Sequence, residues 1–203
     1  MGKQRKDSTT TTQNKSDSQN TELCRSRSNN KIKYGLLLGR FQSPGPHSGH
    51  QHIINKIISD GLEPIIIVGS ADKHDERNPY HPLERIHMIR LVYPGIKCLA
   101  LNDSLDWDKW YNSLLKAIQL TVTDDLSETT IYLHEKLEDL TNFTFRGIDY
   151  TNESYCKLYE LTGMHTTILP ISDIQIRAQS IRNDIESNKQ FLHPLVYDYI
   201  RGR

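Results

Sequence analysis

Short apolar runs alternate with amphipathic stretches from residue 31 onward. Continuous apolar runs are typical of strands buried on both faces of a parallel sheet, and they occur at 34–38, 65–68, 96–101, 129–134 and 165–171. Apolar residues at helical spacing fill the segments between and after them, at 48–60, 82–93, 108–120, 153–163, 180–188 and 193–200. The alternation predicts an α/β fold with a doubly wound, mostly parallel five-stranded sheet of Rossmann-like type and helices on both faces.

Individual stripes within the predicted helices suggest which residues are buried. The helix over 82–93 places Leu83, Ile86 and Ile89 on one face. The helix over 108–120 places Trp110, Leu114, Leu115 and Ile118 on one face, and Trp107 lies off that stripe, so we expect it at the surface.

The first thirty residues differ from the rest of the chain. They are nearly all polar or charged, with one leucine and no aromatic residue. Such a segment buries too little apolar surface to offset the loss of chain entropy. We therefore predict a disordered polar tail at 1–30 and one domain at 31–203.

The composition narrows the classes of function. Lysine plus arginine number 25 and aspartate plus glutamate also number 25, which argues against a general binder of nucleic acid or anionic membrane but leaves room for a local basic pocket. The three cysteines are widely spaced, without a CxxC pair, and do not suggest a disulfide scaffold. No apolar segment approaches the ~20 residues of a membrane span, and no signal peptide is evident. We expect a soluble, cytoplasmic protein with no nucleic-acid or membrane partner.

The turn after the first strand, GRFQSPGPHSGH at 39–50, carries the candidate chemistry. Ligands of open parallel sheets bind beyond the carboxyl ends of the strands, where the strand order reverses. His47 is predicted just before a helix and His50 in its first turn, while Gly49 allows a close approach to the backbone. With Arg40 and the free amides of a helix N-terminus, this turn suits a phosphate group. A plain surface loop is one alternative; zinc is another, although His52 is the only further ligand type nearby.

The same turn resembles the GRFQPxHxGH motif of the HxGH nucleotidylyltransferase superfamily. Two further segments resemble the nicotinamide mononucleotide (NMN) adenylyltransferases of the archaeal and viral type: GSADKHDERNPYHPLERIHMI at 69–89 and DSLDWDKW at 103–110. SIRNDIESNKQF at 180–191 and HEKLED at 134–139 give weaker support. The resemblance runs from about Gly35 to the C-terminus and implies the Rossmann-like fold of that superfamily.

The resemblance also implies a reaction in which NMN and ATP give NAD and pyrophosphate, without an enzyme nucleophile. It implies His47, His50 and Arg40 as catalytic residues. The implied ATP contacts are Gly39, Arg40, Phe41, His47, Gly49, His50, Arg77, Ser180 and Arg182, and the implied NMN or NAD contacts are Gly69, Ser70, Asn78, Asp103 and Trp110. Mg²⁺ is expected with ATP but without a dedicated protein metal site, and a homo-oligomer is expected.

Two residues keep alternative interpretations. Trp110 is either a core residue on its helix stripe or a wall for the nicotinamide ring. One interpretation of the pair Glu84–Arg85 is a salt-bridged helix surface; within the matched segment we expect a structural role for Glu84, and the role of Arg85 stays open.

The chain departs from the family pattern in three places. The loop Ser43–Pro44–Gly45–Pro46 is two residues longer than the family's. Aligning the last motif, ISxTxxR, on Arg182 puts Arg177 and Gln179 in place of serine and threonine, with Ser180 as a partial substitute; an alternative register keeps Ser172. The segment HEKLED lacks the glycine of the family turn and keeps only Lys136 and Asp139. A transferase with another acceptor and a non-catalytic nucleotide binder therefore stay open as alternatives.

Overall fold

The computed structural model describes residues 32–134, 140–170 and 176–202. The predicted polar tail at 1–30 lies outside these residues. So do Lys136 and Asp139 of the HEKLED segment and Ser172 of the alternative register.

Five parallel strands form the predicted sheet. In chain order they are β1 (Tyr34–Gly39), β2 (Glu63–Val68), β3 (Lys97–Ala100) and β4 (Thr129–His134), with β7 (His165–Leu169) after a hairpin described below. Their order in the sheet is β3-β2-β1-β4-β7, and every pairing is parallel. From β1 the chain adds β2 and β3 on one side of the sheet, and it then crosses over to add β4 and β7 on the other side. The turn after β1 therefore lies at the switch point where ligands bind in such sheets.

Six helices accompany the strands in the described parts of the chain. They are α1 (Ser48–Ser59), α2 (Pro82–Val92), α3 (Trp107–Thr121), α4 (Tyr155–Glu160), α5 (Ala178–Asn183) and α6 (Pro194–Arg201), with short 3₁₀ turns at Leu126–Glu128 and Lys189–Phe191. None of them is long and apolar enough to cross a membrane.

Alternate residues of the central strands face two separate cores. Leu36 and Ile65 pack with Tyr111 of α3 on one side of the sheet, while Leu37 and Ile66 pack with α1 on the other. Burial on both sides explains the consecutive apolar residues in the middle of β1 and β2, and the parallel sheet confirms the predicted fold class.

The contact between β1 and α1 depends on a glycine. A Cβ atom at Gly35 would lie 2.3 Å from Cγ2 of Ile57, so only glycine allows α1 to sit this close to the sheet. That distance fixes the start of α1, and with it His47 and His50, relative to the end of β1.

A two-stranded antiparallel hairpin was not predicted. It consists of β5 (Leu140–Phe145) and β6 (Ile148–Ser154). Arg146 and Gly147 both have positive φ angles, 52° and 77°, the geometry of a tight two-residue hairpin turn. Phe143 and Phe145 are buried in the core that contains α3.

Three predictions about burial were wrong. Leu83, expected on the buried stripe of α2, is 79% exposed, and the buried face of that helix holds Arg85, Met88 and Ile89 instead. Trp107, expected at the surface, is half-buried against the core because the hairpin covers it. The interpretation of Arg85 as a surface residue is also wrong, since its side chain is fully buried.

Candidate functional site

The turn after β1 fixes the ring of His47. This residue is the N-cap of α1, and its Nδ1 accepts a hydrogen bond from the backbone N–H of Gly49 at 3.1 Å. Because Nδ1 is an acceptor, the ring hydrogen of neutral His47 resides on Nε2. A Cβ atom at Gly49 would lie 3.0 Å from Cε1 of His47. Gly49 therefore leaves the room that the capping histidine needs.

His50 stacks on the ring of Phe41 and also contacts the tilted ring of His47. Its ring centroid lies 4.3 Å from that of Phe41 and 4.0 Å from that of His47. Phe41 is 1% exposed and has a φ angle of 50°. Nδ1 of His50 is buried and has no hydrogen-bond partner among the described residues. The stack orders both imidazoles on the same wall of the site.

Both histidines are neutral at neutral pH. Burial, with a contribution from the neighbouring His134, lowers the pKa of His47 to about 4. Burial and the nearby His47 and His134 hold the pKa of His50 well below its ordinary value of 6.5. The two rings therefore offer hydrogen-bond donors rather than fixed charges to an incoming ligand.

A cleft of about 910 Å³ opens beside these histidines. It brings together six of the nine predicted ATP contacts: Arg40, Phe41, His47, His50, Arg77 and Arg182. The other three, Gly39, Gly49 and Ser180, are not among the lining residues. The wall is completed by Gln42, Glu76, Arg177, Ala178, Gln179 and Asn183. The lining contains four arginines and one carboxylate, that of Glu76. The cleft is therefore strongly basic, although the net charge of the whole chain is zero.

The C-terminal wall of the cleft contains the departures from the family motif. Arg177 and Gln179, which replace the serine and threonine, both line the cleft. Arg177 is exposed, and within the described residues its side chain makes no hydrogen bond or ion pair. Nη1 of Arg182 donates to the backbone oxygen of Gln42 at 2.6 Å. Arg182 therefore ties α5 to the first turn, while Arg177 is free to meet a ligand.

The longer loop at residues 43–46 is packed inward. All four residues are buried, and Oγ of Ser43 donates to the backbone oxygen of Gly45 at 2.7 Å. Gly45 has a φ angle of 70°, and a Cβ atom there would lie 2.7 Å from Val196 of α6. The insertion is thus packed against α6 and does not bulge into solvent.

The predicted acceptor residues form a separate rim at the end of β2. Ser70 has a φ angle of 48°, and its Oγ donates to Oδ1 of Asp103 at 3.1 Å. The N–H of Gly69 donates to the backbone oxygen of Gly39 at 2.9 Å, which joins this rim to the first turn. Gly69, Ser70 and Asp103 are therefore adjacent to the cleft but do not line it.

The last two predicted acceptor residues, Asn78 and Trp110, differ in burial. Asn78 is 6% exposed, its amide nitrogen donates to Asp75, and its Oδ1 is buried without a partner in the described chain. Trp110 is half-buried, with its ring 6.0 Å from that of Trp107 in an edge-to-face contact. Neither residue lines the cleft.

Several residues of the site were missed by sequence reasoning. Gln42 exchanges two hydrogen bonds with the backbone of Tyr80, at 3.2 and 3.3 Å, and so joins the first turn to the 69–89 segment. His134 is the last residue of the fourth predicted strand, and that position at the carboxyl end of the strand was the available signal. Arg85 gave no signal, because a buried arginine looks like a surface residue in a helical pattern.

Within the described residues, no group of three or more His, Cys, Asp or Glu side chains could hold a metal ion. His52, the third histidine considered for zinc, is exposed on α1 and is not part of the cleft.

Comparison with known proteins gives consistent partial matches. No family model matches the chain. It is 41% identical over 62 residues to a nicotinamide-nucleotide adenylyltransferase of Aeropyrum pernix and 46% identical over 57 residues to that of Caldivirga maquilingensis. The resemblance seen in the sequence is confirmed. These matches cover 30% and 28% of this chain, and the chain spans about a third of the length of those relatives, 35% and 31%.

The solved structures of NadR protein share the fold. The structure in complex with NR superposes with a TM-score of 0.58 at 22% identity, over 80% of this chain and 43% of that chain. The structure in complex with NAD and AMP-PNP gives a TM-score of 0.57 at 20% identity, over 81% of this chain and 45% of that chain.

Proposed function

We propose that this protein transfers an adenylyl group from ATP to the phosphate of NMN, giving NAD and pyrophosphate. The observation that carries the proposal is the cleft itself, in which two neutral histidines and four arginines converge at the switch point of the sheet. The similarity to archaeal nicotinamide-nucleotide adenylyltransferases supports the same substrates.

Direct transfer from ATP to the acceptor, which the sequence resemblance implies, is compatible with the lining residues. The described lining contains no serine, threonine, cysteine or lysine nucleophile, Nδ1 of His47 accepts the N–H of Gly49, and Nδ1 of His50 is buried. The acceptor phosphate oxygen would attack the α-phosphorus of ATP in line. A new P–O bond forms, the bond to the β-phosphate bridge breaks, and pyrophosphate leaves with the electron pair. Catalysis then rests on alignment of the two substrates and on stabilisation of the charge that develops.

The arginines supply the positive charge. A guanidinium can donate two parallel hydrogen bonds to a phosphate, and Arg40, Arg77 and Arg177 have side chains that the described structure leaves available for this. His47 adds an Nε2–H donor, and His50 adds a second imidazole. Bound phosphates would favour protonation of both rings, because a neighbouring negative charge raises the pKa of a histidine.

The acceptor would occupy the rim formed by Gly69, Ser70 and Asp103. Asp103 is exposed, so its carboxylate remains able to accept hydrogen bonds from a ribose or an amide. Asn78 has a buried amide oxygen that lacks a partner in the described chain, and a ligand donor would satisfy it.

The described lining of the cleft does not provide enough oxygen ligands for Mg²⁺. Glu76 is the single carboxylate of the lining, and Mg²⁺ needs several oxygen ligands in octahedral geometry. The metal would accompany ATP on the phosphate oxygens and water. The expected homo-oligomer and cytoplasmic location stay predictions.

The proposal is tested by measuring NAD formation from NMN and Mg-ATP, coupled to an NAD-dependent dehydrogenase. His50→Ala should lower kcat by about 10²-fold or more, the usual cost of one preorganised donor. His52→Ala is the matched control, since His52 lies two residues away on the same helix but is exposed and outside the cleft. Absence of NAD in the wild type, with ATP binding intact by calorimetry, would contradict the NMN proposal and lead to a screen of other phosphate acceptors.

A further inference from the structure

Arg85 is the only lysine or arginine classed as buried among the described residues, with 0% exposure. Burying a charge is unfavourable unless hydrogen bonds compensate for the lost water. Helix α2 is already anchored by Met88 and Ile89, which are also fully buried. An apolar residue at position 85 would anchor the helix at a lower cost, so the guanidinium calls for another explanation.

The guanidinium holds together the two turns that build the site. Nη1 donates to the backbone oxygens of Arg40 at 2.6 Å and Gly69 at 2.7 Å, and Nη2 donates to that of Ser70 at 3.1 Å. Arg40 belongs to the cleft, while Gly69 and Ser70 belong to the acceptor rim. One rigid group therefore spans the ends of β1 and β2.

The contacts leave the positive charge of Arg85 only partly compensated. All three hydrogen-bond acceptors are neutral carbonyl groups. Burial lowers the pKa of Arg85, and the carboxylate of Asp103 opposes that shift in part. Asp103 in turn accepts the hydroxyl hydrogen of Ser70. Arg85, Ser70 and Asp103 thus form a continuous chain of contacts from the helix interior to the acceptor rim.

We infer that Arg85 is a positioning residue that sets the distance between the triphosphate turn and the acceptor rim. The inference rests on the proposed function. A planar fork with fixed donor directions reaches three carbonyl groups at once, whereas the ammonium of a lysine is a compact point charge on a flexible stem. Loss of the fork should leave each substrate site formed but misplace one relative to the other.

Two variants separate geometry from charge. Arg85→Lys keeps the charge and loses the fork, and Arg85→Met loses both at similar side-chain length. We expect Arg85→Lys to lower kcat by about 10²-fold, because a 1 Å misplacement of reacting groups costs about that much. The KM for ATP should stay within about threefold of wild type, since the residues lining the cleft are unchanged. Arg85→Met should be at least as impaired.

Arg90→Lys and Arg90→Met are the matched controls, because Arg90 lies on the same helix, is exposed, and contacts Ile96 and Cys98 rather than the site. The number of ATP sites per chain from calorimetry gives the folded fraction of each variant. A wild-type kcat in Arg85→Lys, or a loss of activity that merely follows the folded fraction, would overturn the inference.

Backbone amide hydrogen exchange tests the connection that Arg85 makes between the two turns without requiring turnover. In Arg85→Lys, the amides of residues 39–43 and 69–72 should exchange at least tenfold faster than in wild type, whereas those of β3 should not change. Unchanged exchange in both segments would overturn the inference even if the wild type made no NAD. Absence of NAD with faster exchange would instead contradict the proposed function and leave the positioning role supported.

Discussion

Gly49 allows a sharp test of how the first turn works. In Gly49→Ala, the new methyl group would lie 3.0 Å from Cε1 and 3.2 Å from Nδ1 of His47. Carbon atoms normally approach to about 3.5–4.0 Å, so the ring must move by roughly 0.5 Å. His50 would move with it, because the two rings are in contact, with centroids 4.0 Å apart. A 1 Å displacement of catalytic groups costs about 10²-fold in rate, so we expect kcat to fall by about tenfold or more.

The stability of this variant should change little, for two opposing reasons. Alanine is favoured over glycine inside a helix by about 1 kcal/mol, and loss of the His47 cap on the Gly49 N–H costs about 1 kcal/mol. Activity and stability are therefore expected to separate, which a general folding defect would not produce.

The assay is the coupled measurement of NAD formation, together with the free energy of unfolding in urea. Gly202→Ala is the matched control, since a Cβ atom there meets its nearest neighbour, the Asp198 oxygen, at an ordinary 3.5 Å. Wild-type kcat in Gly49→Ala would refute the argument that the glycine makes room for the histidine. A large loss of stability in the same variant would refute the expectation that the higher helix propensity of alanine offsets the loss of the His47 cap.

Two further predictions concern stability. Since the folded pKa of His47 is about 4, against 6.5 for an ordinary histidine, the unfolded state binds more protons between these values, and His47 alone should lower the free energy of unfolding by up to about 3 kcal/mol from pH 7.5 to pH 4. Burial also lowers the pKa of His50, so His50 adds to this loss. Urea titrations check the total, and His47→Asn, which keeps a capping oxygen, should remove the His47 share and make the profile less steep; an equally steep profile in that variant would refute the His47 contribution. Gly35→Ala should destabilise by about 1–3 kcal/mol through overpacking against Ile57. In a double-mutant cycle, Ile57→Ala should relieve part of that loss, and strict additivity would exclude the contact.

The central sheet was predictable because its chemistry is uniform. A strand covered on both faces must be apolar at every position, so Ile65 to Val68 show the burial directly in the sequence. The first turn was predictable for a similar reason, since its histidines, arginine and glycines lie within twelve residues. Local signals were sufficient wherever the contacts themselves were local.

The hairpin and Arg85 were missed for different physical reasons. In β5, the apolar residues Phe143 and Phe145 are separated by a polar one, as in a strand with one buried face. The turn that follows is Arg146–Gly147, whereas Asn-Gly or Asp-Gly marks most such hairpins. Arg85 is buried because three carbonyl groups from distant segments converge on it, and no periodicity of α2 records them. Interactions defined by partners 15 or 45 residues away are not visible in a helical stripe.

The inward packing of the longer loop has a consequence for the order of folding. The loop at 43–46 is covered by Val196, and the carbonyl of Gln42 is bound by Arg182, which lies 140 residues later in the chain. During synthesis, β1 can pair with β2, and α1 can pack against both strands, soon after they leave the ribosome. The loop between β1 and α1, however, stays uncovered until residues 182 and 196 have emerged. Closing so long a loop is slow. The first turn, although it is encoded near the beginning of the domain, is therefore expected to be among the last parts to acquire its final structure.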